Sequence, residues 1–255
     1  SSYDSNINFE LSENPLICLN HALAENGYSL EVEENYKFNK TLVIYNSFTN
    51  ETKNKILNNK NKIKVKKNSE LHIIEYTINE SKHKFINNVY EDLVLEKNSK
   101  LKNLYIQSKR SEGFFHKYLK SKLSENSDYV NLIFSSGLRF NKLDIECDLI
   151  GKNCSCNILS ALFLNKNEHQ EIKTRINHLV PDCKSYQRVK KVLDSESKGI
   201  FQGKIYVKDE AQKTNAYQLS KALLLHDDAE FNSKPELEIY ADDVKCSHGS
   251  TSGSI

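Results

Sequence analysis

Cys246 and His248 are the residues whose types and spacing best suit chemistry. They close the stretch Lys234-Pro-Glu-Leu-Glu-Ile-Tyr-Ala-Asp-Asp-Val-Lys-Cys-Ser-His-Gly249, in which Leu237, Ile239 and Ala241 alternate with Glu236, Glu238 and Tyr240. That alternation is the period of a half-buried strand. The parity then changes: Val244, Cys246 and His248 form the next same-side series, so Asp242-Asp243 is expected to be a turn or bulge. On an extended chain, side chains two residues apart share a face about 6 to 7 Å apart at their roots. A thiol and an imidazole therefore leave one strand in the same direction. Two arrangements fit: a buried cysteine beside a hydrogen-bonded histidine, or a pair of soft ligands for a metal or cluster.

Other constellations fail on spacing. Gly199-Ile-Phe-Gln-Gly203-Lys204 imitates a phosphate loop, but it is one residue short between glycines and Ile205 stands where Ser or Thr must bind magnesium. Its alternation of Phe201, Gly203, Ile205 and Val207 reads as a strand. His169-Gln-Glu171 with Pro181-Asp-Cys183 imitates a zinc deaminase, yet no partner cysteine follows at the required distance. Cys154-Ser-Cys156 puts two thiols on one face without the second pair a zinc site needs, so they read as structural. Asp227-Asp228 read as turn residues, and His178, on the parity of Ile172, Ile176 and Val180, reads as a core histidine.

The elements that must position these residues are mostly strands. Residues 1–30 form a lead-in: Asn14-Pro15 opens a short helix over Leu16–Leu23, with Gly27 as its C-cap. Strand-like runs follow at Leu42–Tyr45, Ile63–Val65, Leu71–Tyr76, Lys84–Val89 and Leu101–Ile106, separated by Asn/Lys/Ser clusters. Further runs begin near Val130, Leu143, Asn157, Glu171, Tyr186 and Ile200, about 13 to 15 residues apart, and another near Glu236. Beyond the lead-in, helical periodicity is confined to Gln218–Leu225. Sandwich strands usually start about 8 to 12 residues apart. The longer, steady spacing suits a solenoid in which each coil lays a strand on its predecessor in parallel. Ile158–Leu164, apolar on both parities, reads as a strand covered on both faces. The expected architecture is an all-β parallel β-helix over residues 31–255 behind the helical lead-in.

Composition narrows the function. Lys and Arg number 36 against 34 Asp and Glu, a net charge of +2, which leaves no footprint for nucleic acid. No run approaches the roughly 20 apolar residues of a membrane span, and no export signal opens the chain. Six dispersed cysteines then read as reduced thiols in the cytoplasm. The Lys and Asn excess reads as codon bias. The absence of Met, with a stop just after a strand-like run, reads as an internal piece of a longer protein.

Residues 199–253 carry a resemblance. Gly199-Ile-Phe-Gln-Gly-Lys-Ile-Tyr-Val207, Ala211-Gln-Lys-Thr-Asn215, Gln218, Leu223-Leu-Leu225 and Ser233–Gly249 closely resemble the SufB/SufD family of iron–sulfur cluster assembly proteins, with the last run most like SufD. Glu171–His178 and Pro15–Leu23 are similar to more loosely kept family segments. The resemblance implies a right-handed parallel β-helix. It also implies a non-enzymatic scaffold role in a SufB–SufC–SufD complex, where SufC hydrolyses ATP. Cys246 and His248 match the family's C-x-H motif, whose positions lie at the SufB–SufD interface, so they become the implied metal ligands. No tightly bound cofactor is implied, only transient iron or a nascent cluster. The C-terminal segment through which the family docks SufC is expected to be missing from this chain, and the uncovered end of the last coil makes a homodimer the expected pairing without SufB. The competing class is a solenoid carbohydrate-active enzyme such as a polysaccharide lyase. It would need an export signal and an Asp/Lys/Arg catalytic set on one face, neither of which is evident.

Overall fold

The computed structural model of the chain describes residues 14–37 and 39–254. Helix α1 (Pro15–Leu23) starts where the Asn14 side chain accepts from Leu16 N at 3.0 Å, with Pro15 in the first turn. It ends at Ala24 rather than Gly27. Gly27 instead permits a close approach of backbones. At φ 147 the chain passes the Lys60 carbonyl so tightly that an added Cβ would sit 1.9 Å from its oxygen.

Sixteen strands follow among the described residues. They are β1 (Ser29–Val32), β2 (Leu42–Phe48), β3 (Ile56–Val65), β4 (Glu70–Asn79), β5 (Ile86–Leu95) and β6 (Lys100–Gln107). Next come β7 (Ser111–Leu123), β8 (Asp128–Ser136), β9 (Leu138–Leu149), β10 (Ser155–Leu164) and β11 (His169–His178). The last are β12 (Lys184–Leu193), β13 (Lys198–Val207), β14 (Asn215–Leu224), β15 (Glu230–Ile239) and β16 (Lys245–Ser254). Odd strands stack into one eight-stranded sheet and even strands into another, each pair parallel. The expected parallel β-helix is what forms.

The spacing needs one correction. Strand starts about 14 residues apart mark half a coil, not a whole one. Ile172 pairs with Leu143 below and Phe201 above, while β10 and β12 belong to the opposite sheet. A coil therefore takes two strands, and residues on facing sheets close a single lumen between them. Most of the core is one long cluster in that lumen, from Val32 through Leu95, Ile145 and Ile172 to Phe201.

The asparagines have a structural role that codon bias does not describe. One corner of each coil turns through a left-handed residue: Asn35, Asn68, Asn98, Asn126 and Asn153 have φ between 57° and 63°. Asparagine tolerates this conformation better than other residues with a Cβ. Their side chains also form a ladder. Asn68 donates to Asn35 (2.9 Å), Asn98 to Asn68 (2.8 Å), Asn126 to Asn98 (3.0 Å) and Asn153 to Asn126 (3.2 Å). Just inside the same corner, Ser69, Ser99 and Ser127 are buried and bond to turn carbonyls. The Asn-Ser dipeptides at 68, 98 and 126 were the repeat hidden in the sequence.

Two further readings are corrected. Gln218–Leu225 is not helical, because β14 runs through it with Ala216, Gln218, Ser220 and Ala222 facing the lumen. Polar residues on the buried side erased the strand alternation. In β10 only one face is covered, since Ile158, Leu162 and Leu164 are buried while Ala161 and Phe163 are exposed. β7, which no run of apolar residues announced, has Lys117 on its lumen side.

Candidate metal site

β16 lies on β14 with Cys246 opposite Ala216 and His248 opposite Gln218. Ala216 and Gln218 are fully buried lumen residues, so pleating turns Cys246 and His248 to the lumen side of the last coil. Cys246 is half-buried and packs with Val244 and Leu237 on a small cluster of Ile205, Val207, Ala211 and Ala216. Burial pushes its thiol up from its ordinary value, and a backbone hydrogen bond at Ala216 pulls the other way. A metal there would have to displace a proton. His248 is exposed, because no further strand stacks on β16 among the described residues.

Beneath His248 runs a file of buried amides. Gln218 Nε2 donates across the lumen to the Gly203 carbonyl at 3.2 Å, and its Oε1 accepts from Gln187 at 3.4 Å. Gln187 in turn accepts from the Thr174 hydroxyl at 2.5 Å. This crossing needs Gly203, since a Cβ there would lie 2.4 Å from Gln218 Nε2. The glycine that imitates a phosphate loop is thus the floor of a side-chain crossing within β13.

Asp242 and Asp243 form the expected bend between β15 and β16, but they do not support His248. Asp243 N donates to Gln212 at 2.9 Å and its carbonyl accepts from Lys213 at 2.6 Å, which ties the turn to the coil below. Among the described residues no group of three or more His, Cys, Asp or Glu side chains is placed to hold a metal. One thiol and one imidazole are half a ligand set for a cluster, which takes about four.

The other singled-out residues go elsewhere. Cys147, Cys154, Cys156, Cys183 and Cys246 form no disulfide. Cys154 and Cys183 are buried at the corner of successive coils, where both donate to the Gly151 carbonyl, at 2.7 and 3.3 Å. Cys147 and Cys156 are fully buried in the core. His178 is also fully buried and bonds to Ser185 at 2.9 Å, and burial holds it neutral with a pKa lowered to about 4. His169 stacks on Phe140 and Glu171 accepts from Lys142 at 2.6 Å, both on the outer face and away from Cys183. Asp227 and Asp228 lie in the turn after β14.

Sequence reasoning missed a charged cavity inside the first coils. Lys117 Nζ lies 2.9 Å from Glu75 and 3.0 Å from Glu91, both nearly inaccessible, beside a cavity of about 350 Å³ lined also by Tyr28, Tyr105 and Asn61. Burial works against the ammonium, but the two carboxylates hold its pKa well above the ordinary value. Burial raises Glu91. The signal was present: Glu75 stands on the core parity of Leu71 and Ile73.

Residues 48–255 match the family described as the SUF system FeS cluster assembly, SufBD core domain. The chain is 35% identical over 133 residues to the iron-sulfur cluster assembly protein SufD of Escherichia coli, covering 52% of this chain and 31% of the relative. It is 29% identical over 187 residues to protein ABCI7, chloroplastic, of Arabidopsis thaliana, covering 72% and 39%. A SufBD family protein of Pyrococcus horikoshii is 24% identical over 252 residues, covering 97% and 55%. The chain spans roughly a third of the length of the first two relatives. No helix among the described residues is long and apolar enough to cross a membrane.

Proposed function

Because the chain belongs to the SufBD family of SUF-system iron–sulfur cluster assembly proteins, we propose that it is a non-catalytic scaffold piece that pairs with SufB and presents Cys246 and His248 to iron or a nascent cluster in the cytoplasm. The observation that carries this reading is the register of β16, which sets both side chains on the lumen side of its last coil with His248 exposed. Iron or the cluster is cargo rather than a resident cofactor. The chain supplies one thiolate and one imidazole, and the partner supplies the rest. The thiol hands its proton to solvent as iron binds. ATP hydrolysis belongs to SufC in this reading.

The test is anaerobic reconstitution with ferrous iron and sulfide, followed by absorbance near the sulfide-to-iron charge-transfer bands. The chain with SufB should develop the bands, and the chain alone only weakly. Equal cluster yield from wild type and from both His248→Ala and Cys246→Ala in the SufB complex would leave the pair structural.

A further inference from the structure

The two sheets have unlike outer faces. The odd-stranded sheet receives α1 through polar groups: Asn20 Nδ2 donates to the carbonyls of Asn59 (3.0 Å) and Asn88 (2.9 Å), and Asn88 returns a bond to the Leu16 carbonyl at 2.9 Å. The even-stranded sheet carries two apolar columns on its outer face. Val43, Ile74, Leu104, Leu132 and Leu159 stand in register across β2, β4, β6, β8 and β10. The adjacent column, which includes Tyr45 and Phe134, is also apolar along these strands. Val43, Tyr45, Leu132 and Phe134 are 38–65% exposed. A parallel sheet normally has both faces covered, and an apolar strip this continuous marks a docking surface.

The same two columns change character at one end. Leu159 is followed by Arg188 on β12, and Ala161 by Lys190 and then Lys221 on β14, all exposed. No carboxylate stands on either column. Five strands about 4.8 Å apart make a strip of about 19 Å, the rise of about 13 helical residues.

We propose that this face docks an amphipathic helix of a partner protein, lying along the solenoid axis with its apolar side on the Val43-to-Leu159 strip and acidic residues at one end over Arg188, Lys190 and Lys221. The sheet's backbone groups are already paired in the ladder, so an extended peptide gains no hydrogen bonds on this face, whereas a helix brings its own. Besides the cations at this end, Lys102 flanks one long side of the strip, while Ser47, Ile78 and Phe163 stand on the other, which suits a helix and not a bilayer, whose headgroups would meet cations along both rims. The chain's own α1 has nine residues and no acid in its first turn, too short and uncharged for the strip.

The probe is a labelled synthetic helix of about 16 residues with a leucine face, made in two versions carrying glutamates in the first or the last turn. Each is titrated with the whole chain at low and high salt, alongside a lysine-ended control. One glutamate version should bind, more tightly at low salt. Leu132→Ser with Phe134→Ser should weaken it roughly tenfold or more. Lys190→Glu with Lys221→Glu should weaken it at low salt and favour the lysine-ended peptide instead. Circular dichroism melts confirm that the variants fold. The proposal is overturned if neither glutamate version binds, or if both sets of substitutions leave binding unchanged. It is equally overturned if phosphatidylglycerol vesicles bind through these residues while the peptides do not, or if Phe134→Ser instead abolishes self-association in sedimentation.

Discussion

His248 stands one coil beyond Gln218 in the same lumen column. Gln218 is held there by the Gly203 carbonyl on the facing sheet and by Gln187 one coil below. The exposed imidazole therefore stands in register above a fixed amide rather than above an apolar side chain. The amide beneath His248 thus depends for its place on a glycine whose own strand pairs in the opposite sheet.

That dependence is measurable. Gly203→Ala would push a methyl group into Gln218 Nε2, and overpacking of this kind costs about 1–3 kcal/mol. The double variant with Gln218→Ala should recover part of the loss, because the clash and the crossing vanish together. A denaturant-based double-mutant cycle reads the coupling, and purely additive effects would refute the crossing.

Iron capture by Cys246 should strengthen as pH rises. Its thiol is raised above the ordinary value by burial, so near neutrality it is protonated and iron must release that proton. Titration of ferrous iron into the SufB complex from pH 7 to 9 should show rising affinity. Cys246→Ser should flatten the trend, and an unchanged slope would remove Cys246 from the ligand set.

Acid should weaken the fold through His178. Its folded pKa is lowered to about 4 from 6.5 by burial, so the unfolded chain takes up a proton first. Stability from this neutral histidine is fully present above about pH 6.5 and is lost as pH falls towards 4, a span of about 3 kcal/mol. Melting temperatures of wild type and His178→Gln across this range should converge at low pH.

Lys191 is buried on the lumen side of β12, donates to the Ile200 carbonyl and lies 5.6 Å from the Phe231 ring centre. Burial lowers its pKa to about 7. Its folded pKa lies below the unfolded value, so wild-type stability rises from about pH 7 to 10. Lys191→Met keeps the volume and removes the buried amine, which should stabilise the chain by about 1–2 kcal/mol at pH 7. The advantage should shrink at pH 10, and thermal melts at the two pH values decide it.

The asparagine ladder separates conformation from hydrogen bonding. Asn98→Ala should cost more than Asn98→Gly, because alanine pays about 1–2 kcal/mol to enter the left-handed region and glycine does not. Both lose the bonds to Asn68 and Asn126. Equal melting points would show that the ladder bonds, not the φ value, hold the corner.

How much was legible follows from what each signal encodes. Alternation over Leu237, Ile239 and Ala241, the break at Asp242-Asp243 and the shared parity of Cys246 and His248 are local, and local backbone geometry sets them, so the sequence carried strand, bend and pairing of directions. The steady spacing of strand starts likewise carried a parallel solenoid. What it could not carry was the closure of two sheets around one lumen, because register between residues 27 to 33 positions apart comes from packing and not from neighbours in the chain. The Gln218 stretch was misread for that reason: a polar side chain facing inward looks exposed until Gly203 and Gln187 are seen to satisfy it. Lys117 and Glu75 were hidden in the same way, each a buried charge that its partner across the lumen helps make tolerable. The tertiary structure alone decided that His248 stands in register above a buried amide, since Gln218, Gly203 and Gln187 meet only when the coils stack.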